Sequence, residues 1–576
     1  MGVRKEAHLS RKAATGATKE IKAAPKVPQP LPRYSNEGYP SPQQTVLQTV
    51  NSNNLELSSR PHPYLCTTHP MDPPVGGRLQ HYWPEWVQRG ANGWVVLMLR
   101  WGYRIEWLNR PPLCTTPSVA SRYSDPALHA ALAGAIQDLL SKRAIEPVMN
   151  TNSPGFYSRL FLTPKATGGW RPIIDLKRLN PYVKGSLYKQ ETPQQIRLSL
   201  YKGMWAISLD LKDAFFHIPI REGSRKYLRF SFEGKVYQYR ALPFGLKTAP
   251  WIFTKVISQV LAMPELKELS IHPYLDDWIT PVPSFPEGIA AAHKLVHTCT
   301  TVGLKVNIEK SMLIPCQNFD YLGTHYDLVR GLMGVTTTQQ DKITLRITTF
   351  LSKPQQPAIK WLSVLGLLGS QEKVVRYGRC RIRTIQWALK SQWQMTHHGW
   401  FQPVWITPET RQACLWWADR SNTTLTMPIH TPTPDVTVTT DASTAGWGGF
   451  AGHSSFHGTW SREESSLHIN CLETRAIRLT LEQLLPPPGS TILCMTDNTS
   501  ALCQVNKQGG TRSWSLHLEA QALFRLAESH RWLLTAKHIP GSKNVLADLL
   551  SRRHQIASTE WTLKWEPLLQ LFEKWG

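Results

Sequence analysis

The chain has 576 residues, which at roughly 100–200 residues per domain excludes a small structural module and predicts about three to four units. Lys and Arg number 65 against 41 Asp and Glu, a net charge of +24. That excess points to a polyanionic partner, nucleic acid above all, with a membrane surface or an acidic protein left open by charge alone. With 41% hydrophobic residues, 18% charged and 23 Trp, most of the chain can bury enough apolar surface to fold, so it reads as globular and enzyme-sized. The nine cysteines lack any C-x-x-C or paired Cys/His spacing, which argues against a disulfide framework and a zinc module and fits a reducing compartment.

In chain order, residues 1–70 are rich in Pro, Ser, Asn, Gln and Lys and read as a flexible basic arm, a solvated tail before a nucleic-acid contact. No apolar core follows the N-terminal charges and no run of about 18 apolar residues occurs, so neither secretion nor a membrane span is expected. Glu6 stands where a myristoylation signal wants Ser or Thr. Residues 71–144 form an extension: GRLQHYWPEWVQ and WVVLML, with their Trp and Tyr, predict a packed cap whose function the pattern does not reveal. SDPALHAALAGAIQDLLSKRAIEPV follows as one amphipathic helix, with Ser124 and Asp125 as cap candidates and Lys142 and Arg143 near its end. Residues 145–330 alternate short β-branched and aromatic runs with helical stretches, 331–430 are mostly helical and read as a connecting module, and 431–553 return to α/β texture after the break MPIHTPTPD. Residues 554–576 form a tail, and no repeat of 20–50 residues is visible.

Two sets of acids stand out. WAISLDLKDAFFHIPI ends an apolar run at Asp210, and PYLDDW sets Asp276 and Asp277 together past a second one. A bare Leu-Asp-Asp is more often a polar turn. Paired carboxylates are, however, what two divalent cations roughly 3.5–4 Å apart require when they clamp the attacking and leaving oxygens of a phosphoryl transfer. The blocks FLTPKATGGWRPIIDLKRLN, SLDLKDAFFHIPI, LPFGLKTAP, PYLDDW, GLKVNIEKS and FDYLGTHY, in that order, strongly resemble retroelement reverse transcriptases. The resemblance covers about 145–330 and implies a right-hand polymerase with fingers, a β-α-β-β-α-β (ferredoxin-like) palm and a thumb. It implies Asp210, Asp276 and Asp277 as metal ligands, with the main-chain carbonyl of Leu211. Lys165 and Arg171, six apart around a Gly-Gly turn, suit a fingers hairpin folding over the triphosphate of a dNTP. Phe215 is implied as a gate against the ribose 2′-hydroxyl, against the plainer reading of a buried core Phe. Phe244, where retroviral enzymes carry Gln, and Gly245 fall beneath the template and incoming base. Lys310 falls in a later palm motif and Tyr321-Leu322-Gly323 in a primer grip.

Further on, VTVTTDASTAGWGGF ends a strand at Asp441, INCLETRAIRLTLEQLL carries Glu473 on an amphipathic helix, STILCMTDNTSAL ends a strand at Asp497, and HIPGSKNVLADLLSR puts Asp548 on a last helix. Any one of them alone reads as a cap or a solvated acid. Together they resemble the ribonuclease H fold over about 435–552, with the four as metal-binding acids. Asn498 and Ser500 are candidate substrate contacts, and His538 reads as structural before functional. The whole is therefore expected to be α+β and multidomain, an RNA- and DNA-directed DNA polymerase with ribonuclease H. Its expected cofactor is Mg²⁺, two per site with Mn²⁺ as substitute. Its expected partners are RNA template, DNA primer, RNA–DNA hybrid, dNTPs and other proteins of the same element. GRLQHYWPEWVQ, NKQGGTRSWSLHLEA and NVLADLLSR resemble DIRS-like retrotransposons in particular. No Asp-Ser/Thr-Gly protease motif, zinc knuckle or HHCC finger occurs. The alternatives are a decayed or co-opted binder, which the presence of all seven acids disfavours, and an RNA-dependent RNA polymerase, which needs neither Phe215 nor a ribonuclease H. An intracellular location is expected, cytoplasm or nucleus.

Overall fold

The computed structural model describes residues 72–556, apart from positions 118, 151, 166–167, 187, 395–396 and 425, together with Lys574. The expected arm at 1–70 and most of the tail at 554–576 lie outside the described residues. Among those described the cysteines are free, and no helix is long and apolar enough to cross a membrane.

The first sheet has the strand order His272–Tyr274, Asp277–Val282, Trp205–Asp210, Met312–Cys316, all antiparallel. Two crossover helices complete the β-α-β-β-α-β chain order of the expected palm. Ala249–Leu261 buries Ile252, Phe253, Val256, Ile257 and Val260, the i, i+3, i+4 stripe of a core-facing helix. Phe285–Thr301 starts where the Ser284 side chain accepts the Glu287 N–H, an N-cap. Trp205–Asp210 buries Ala206, Ile207 and Leu209, and its acid lies at the strand's end, where burial gives way to solvent.

The N-terminal segment packs on the same core. Trp86 is fully buried and its indole N–H donates to the Val302 carbonyl at 2.9 Å, while Arg78 Nε donates to Gly303 at 2.8 Å. Helix Pro126–Ser141 is capped by Asp125, which accepts the Ala127 N–H. The hairpin Leu160–Pro164 and Trp170–Ile174 sets Thr163 opposite Arg171.

After a sheet of Asn318–Tyr321, Thr324–Asp327 and Leu332–Val335, the helices Thr337–Leu351, Ala358–Ser370, Gly378–Gln392 and Pro408–Ala418 enclose their own core around Trp361 and Trp417. The chain then returns to add Met427–Pro428 as the fourth strand of that sheet. The last unit is a five-stranded sheet ordered Ser454–Thr459, Gly446–Ala451, Val436–Ala442, Thr491–Thr496, Leu533–His538, antiparallel across the first three and parallel across the last three. Helix Val545–Ile556 lies close on it because Gly448 has no side chain: a Cβ there would stand 2.5 Å from Leu550 Cβ.

Candidate active centres

At the first centre, Asp210 and Asp277 stand opposite each other in register at the end of the central strand pair, and Asp276 occupies the adjoining turn. The turn is strained. Leu275 sits at φ +58°, a left-handed conformation that costs a non-glycine residue roughly 1–2 kcal/mol. Three hydrogen bonds to main-chain carbonyls hold it: Trp278 Nε1 donates to the Leu275 carbonyl at 2.9 Å, the Leu211 N–H to the Asp276 carbonyl at 2.8 Å, and the Tyr321 hydroxyl to the Asp277 carbonyl at 2.8 Å. Strain so over-determined is what a site built to present two carboxylates shows.

Asp210 Oδ1 accepts from Asn307 Nδ2 at 2.8 Å, and the Asp210 N–H donates to Ser311 Oγ at 3.0 Å. Burial, then the charges of Asp210 and Asp276, push Asp277 up to about 7. Asp276 reaches solvent, yet its surroundings and Asp210 also hold it above the ordinary carboxylate range, with Arg171 and Lys310 pulling the other way. These are the effects of burial first, and then of like charges held close together. The three acids sense one another but stay more open than the second centre described below.

Around them, Phe215 is buried, with its ring centroid 5.0 Å from that of Phe244 and 5.4 Å from that of Phe253. The Arg171 guanidinium lies 5.8 Å from the Phe244 ring centroid. Gly245, at φ +99°, comes so near strand Trp170–Ile174 that a Cβ would lie 2.8 Å from the Ile174 carbonyl oxygen. Lys165 is exposed at the far end of the hairpin, its N–H closing on Gly169 at 3.0 Å. Leu211 is buried and bridges to Val306. The structure thus gathers Arg171, Phe215, Phe244 and the acids, and leaves Lys165 at the hairpin tip.

At the second centre, Asp441, Glu473 and Asp497 offer oxygens that all lie within 4.8 Å of one another, the one such acidic group among the described residues. One acid comes from a strand, one from a helix and one from just past a neighbouring parallel strand. Ser551 Oγ donates to Asp441 Oδ2 at 2.7 Å. Glu473 is 5% exposed and its Oε2 has no hydrogen-bond partner. Burial pushes Asp441 up to about 6 and Glu473 to about 9, with the other acids of the cluster adding to both. A largely buried all-oxygen cluster in which one Glu473 oxygen has no hydrogen-bond partner fits a hard divalent cation.

Asp548 stands apart from the trio. It lies in the first turn of its helix, half exposed, where Arg552 one turn on donates to it at 2.8 Å. Asn498 caps helix Thr499–Lys507 by accepting the Ser500 and Ala501 N–H groups, a structural duty that occupies its side chain and the Ser500 main chain. His538 is exposed opposite Thr496 at the strand end beside Asp497. The sequence reading missed Asn307, Ser311 and Ser551, which orient the acids. None of the three carried a sequence signal, since each is a single polar residue far along the chain from the acid it meets.

Residues 163–326 match the family described as reverse transcriptase (RNA-dependent DNA polymerase). This stretch is a reverse transcriptase domain. It takes in the first centre whole, from Lys165 to Tyr321, and stops short of the second. The chain is 31% identical over 200 residues to the Gag-Pro-Pol polyprotein of squirrel monkey retrovirus, covering 33% of this chain and 10% of that one. It is 29% identical over 151 residues to the Transposon Tf2-3 polyprotein of Schizosaccharomyces pombe (strain 972 / ATCC 24843), covering 26% and 11%. The matches therefore span about a tenth of these relatives' lengths. Among solved structures, the foamy viral protease-reverse transcriptase dRH in complex with double-stranded DNA aligns at TM-score 0.47 and 17% identity, over 80% of this chain and 81% of that one.

Proposed function

We propose that the chain is the polymerase of a retroelement, making DNA on RNA and DNA templates at Asp210, Asp276 and Asp277. We further infer that it removes RNA from RNA–DNA hybrids at Asp441, Glu473 and Asp497, with Asp548 at the rim. The observation that carries the reading is the pairing of a reverse transcriptase domain with a second, buried acid cluster on a separate mixed sheet. Divalent cations, Mg²⁺ first and Mn²⁺ as substitute, supply Lewis-acid stabilisation of the transferred phosphoryl group when bound. The chain's own residues do the rest. Asp210 and Asp277 face each other across the strand pair, and the Leu275 turn presents Asp276 beside them. Arg171 neutralises charge on the triphosphate, with Lys165 brought in by the hairpin, while Phe215 on Phe244 walls the sugar side of the dNTP. Ser551 holds Asp441 in place at the second site. Removing RNA from the hybrid frees the new strand as template, which gives both sites one purpose. The aromatic segment at 78–108 and the NKQGGTRSW loop support a DIRS-like element as the source.

The test is primer extension on an RNA template with Mg²⁺ and dNTPs, with labelled RNA followed on the same gel. Asp276→Asn is expected to abolish extension and leave RNA loss intact, and Asp497→Asn to do the reverse. Loss of both activities in either folded single variant refutes two separate sites.

A further inference from the structure

The segment 72–112 precedes the reverse transcriptase domain, and its aromatic residues are not all used in packing. Trp94 and Trp101, on helix Gly93–Trp101, remain 41% and 57% exposed. The chain beyond the helix is clamped at two places. Gly102 turns at φ +86°, where a Cβ would stand 2.4 Å from the Arg221 nitrogen. Tyr103 then exchanges backbone hydrogen bonds with Pro219 and Arg221 at 2.7 and 3.0 Å. Farther on, the Leu108 N–H donates to Tyr182 at 2.8 Å and the Lys184 N–H to Glu106 at 2.9 Å. Residues 102–110 thus form a fixed floor between the Trp-bearing helix and the stretch 221–227, and enclose a groove of about 1050 Å³. Arg104, Arg110, Lys184, Arg221 and Lys226 line it against one acid, Glu106, which pairs with Lys184 at 3.3 Å. Beyond Trp94, whose ring lies 5.7 Å from Trp251, a second hollow of about 350 Å³ continues to Lys255.

We propose that this groove binds single-stranded nucleic acid, outside both acid centres. Five cations against one carboxylate call for a polyanion. The exposed indoles call for unpaired bases, since stacking on an aromatic ring needs a base face that a duplex keeps covered. Continued past Trp94 into the second hollow, the groove suits a strand of on the order of four nucleotides. A bilayer surface would also attract Trp and cations, but it meets a convex face and not a walled concavity. An acidic peptide would satisfy the cations and leave the rings unused. The groove's floor is bonded to residues 219–221, a few residues after Phe215, and the Tyr103 hydroxyl donates to Thr248 at 3.1 Å at the start of the helix behind it. A strand held there is therefore tied mechanically to the synthesis site.

The inference does not rest on catalysis and is tested without it, in EDTA and without dNTPs. Full-length protein is mixed with single-stranded RNA or DNA of about 12 nucleotides carrying 5-iodouracil, irradiated, and the cross-linked peptides are identified. Cross-links at Trp94 or Trp101 are expected. The exposed-site variant Trp94→Ala/Trp101→Ala is expected to weaken single-strand binding at least about tenfold, since two stacking rings are lost. Blunt-duplex binding should change less than about twofold. Arg104→Glu/Arg110→Glu should lower the salt dependence of single-strand binding by roughly one to two units in log–log slope. Cross-links confined to other segments overturn the proposal, as does an equal loss of duplex affinity. Displacement of the strand by polyglutamate at a lower concentration than by unlabelled single strand would make the groove a protein-docking face and also overturns it. RNA and DNA arms that differ assign the strand's sugar.

Discussion

Glu473 holds the sharpest electrostatic conflict among the described acids: a buried carboxyl with an unpartnered oxygen, beside two more acids, pushed up to about 9. Below that value and without a cation the folded protein keeps a proton that the unfolded chain has already released, so the residue destabilises the fold increasingly as pH rises from about 4.5. Glu473→Gln removes the conflict while keeping the shape. Melting in EDTA at pH 8 should therefore rise by a few degrees, Mg²⁺ should lose much of its own stabilising effect, and hybrid cleavage should disappear. A lower melting temperature would show that Glu473 is satisfied by something other than a cation. Phe215 poses a different question, because a ring packed on Phe244 and Phe253 serves core and gate alike. Phe215→Ala costs about 3 kcal/mol or more of packing. The informative readout is thus the ratio of dNTP to rNTP incorporation, which destabilisation alone does not shift. The gate predicts that this ratio falls, and an unchanged ratio makes Phe215 a core residue only.

The element that decides the first centre is the hairpin around Leu275. Its left-handed turn is tied to three neighbours, of which the Tyr321 hydroxyl comes from a separate sheet. Tyr321→Phe deletes one hydrogen bond, worth about 1 kcal/mol, and frees the turn. Primer extension is expected to fall roughly fivefold with RNA cleavage unchanged; equal extension rates would leave the brace without a role. The strands that carry or lead into Asp210, Asp441 and Asp497 were legible because an apolar run stops at or beside an acid, a local pattern. The residues that hold those acids were not, since Asn307 meets Asp210 and Ser551 meets Asp441 across about a hundred residues of chain, and single polar residues carry no period. Asp548 shows the converse: it sits in the expected motif and its charge acts on Asp441, yet its carboxylate pairs locally with Arg552 at i, i+4 and lies outside the close trio. The strand Met427–Pro428 was also hidden, lying inside a Pro/Thr-rich stretch that reads locally as a break.

Across the whole molecule, acids and buried histidines set opposing pH dependences. His217 is fully buried, donating from Nδ1 to Ala214 and accepting the Lys305 N–H at Nε2, and burial drives it down to about 4. His517, packed where helix Gly378–Gln392 meets the last unit, is likewise pushed to about 4 by burial and then Arg383. Both are neutral when folded and protonate on unfolding, so their contribution is intact above about pH 6.5 and is lost as pH falls towards 4. Asp441, Asp277 and Glu473, raised to about 6, 7 and 9, act in the opposite sense. Without a cation they hold protons in the folded state, and stability drains away as pH climbs to those values. A bound cation reverses only the second effect, because it takes the carboxylates deprotonated and leaves the histidines untouched. Urea midpoints measured from pH 5 to 9 should therefore nearly coincide with and without Mg²⁺ at the acid end, where both curves bend down through the histidines. They should then separate steadily, the EDTA curve falling while the Mg²⁺ curve stays level. Since metal binding must release protons from the acids it captures, the gap has to widen with pH if these carboxylates are the ligands. Parallel curves would mean that Mg²⁺ stabilises the protein from somewhere else.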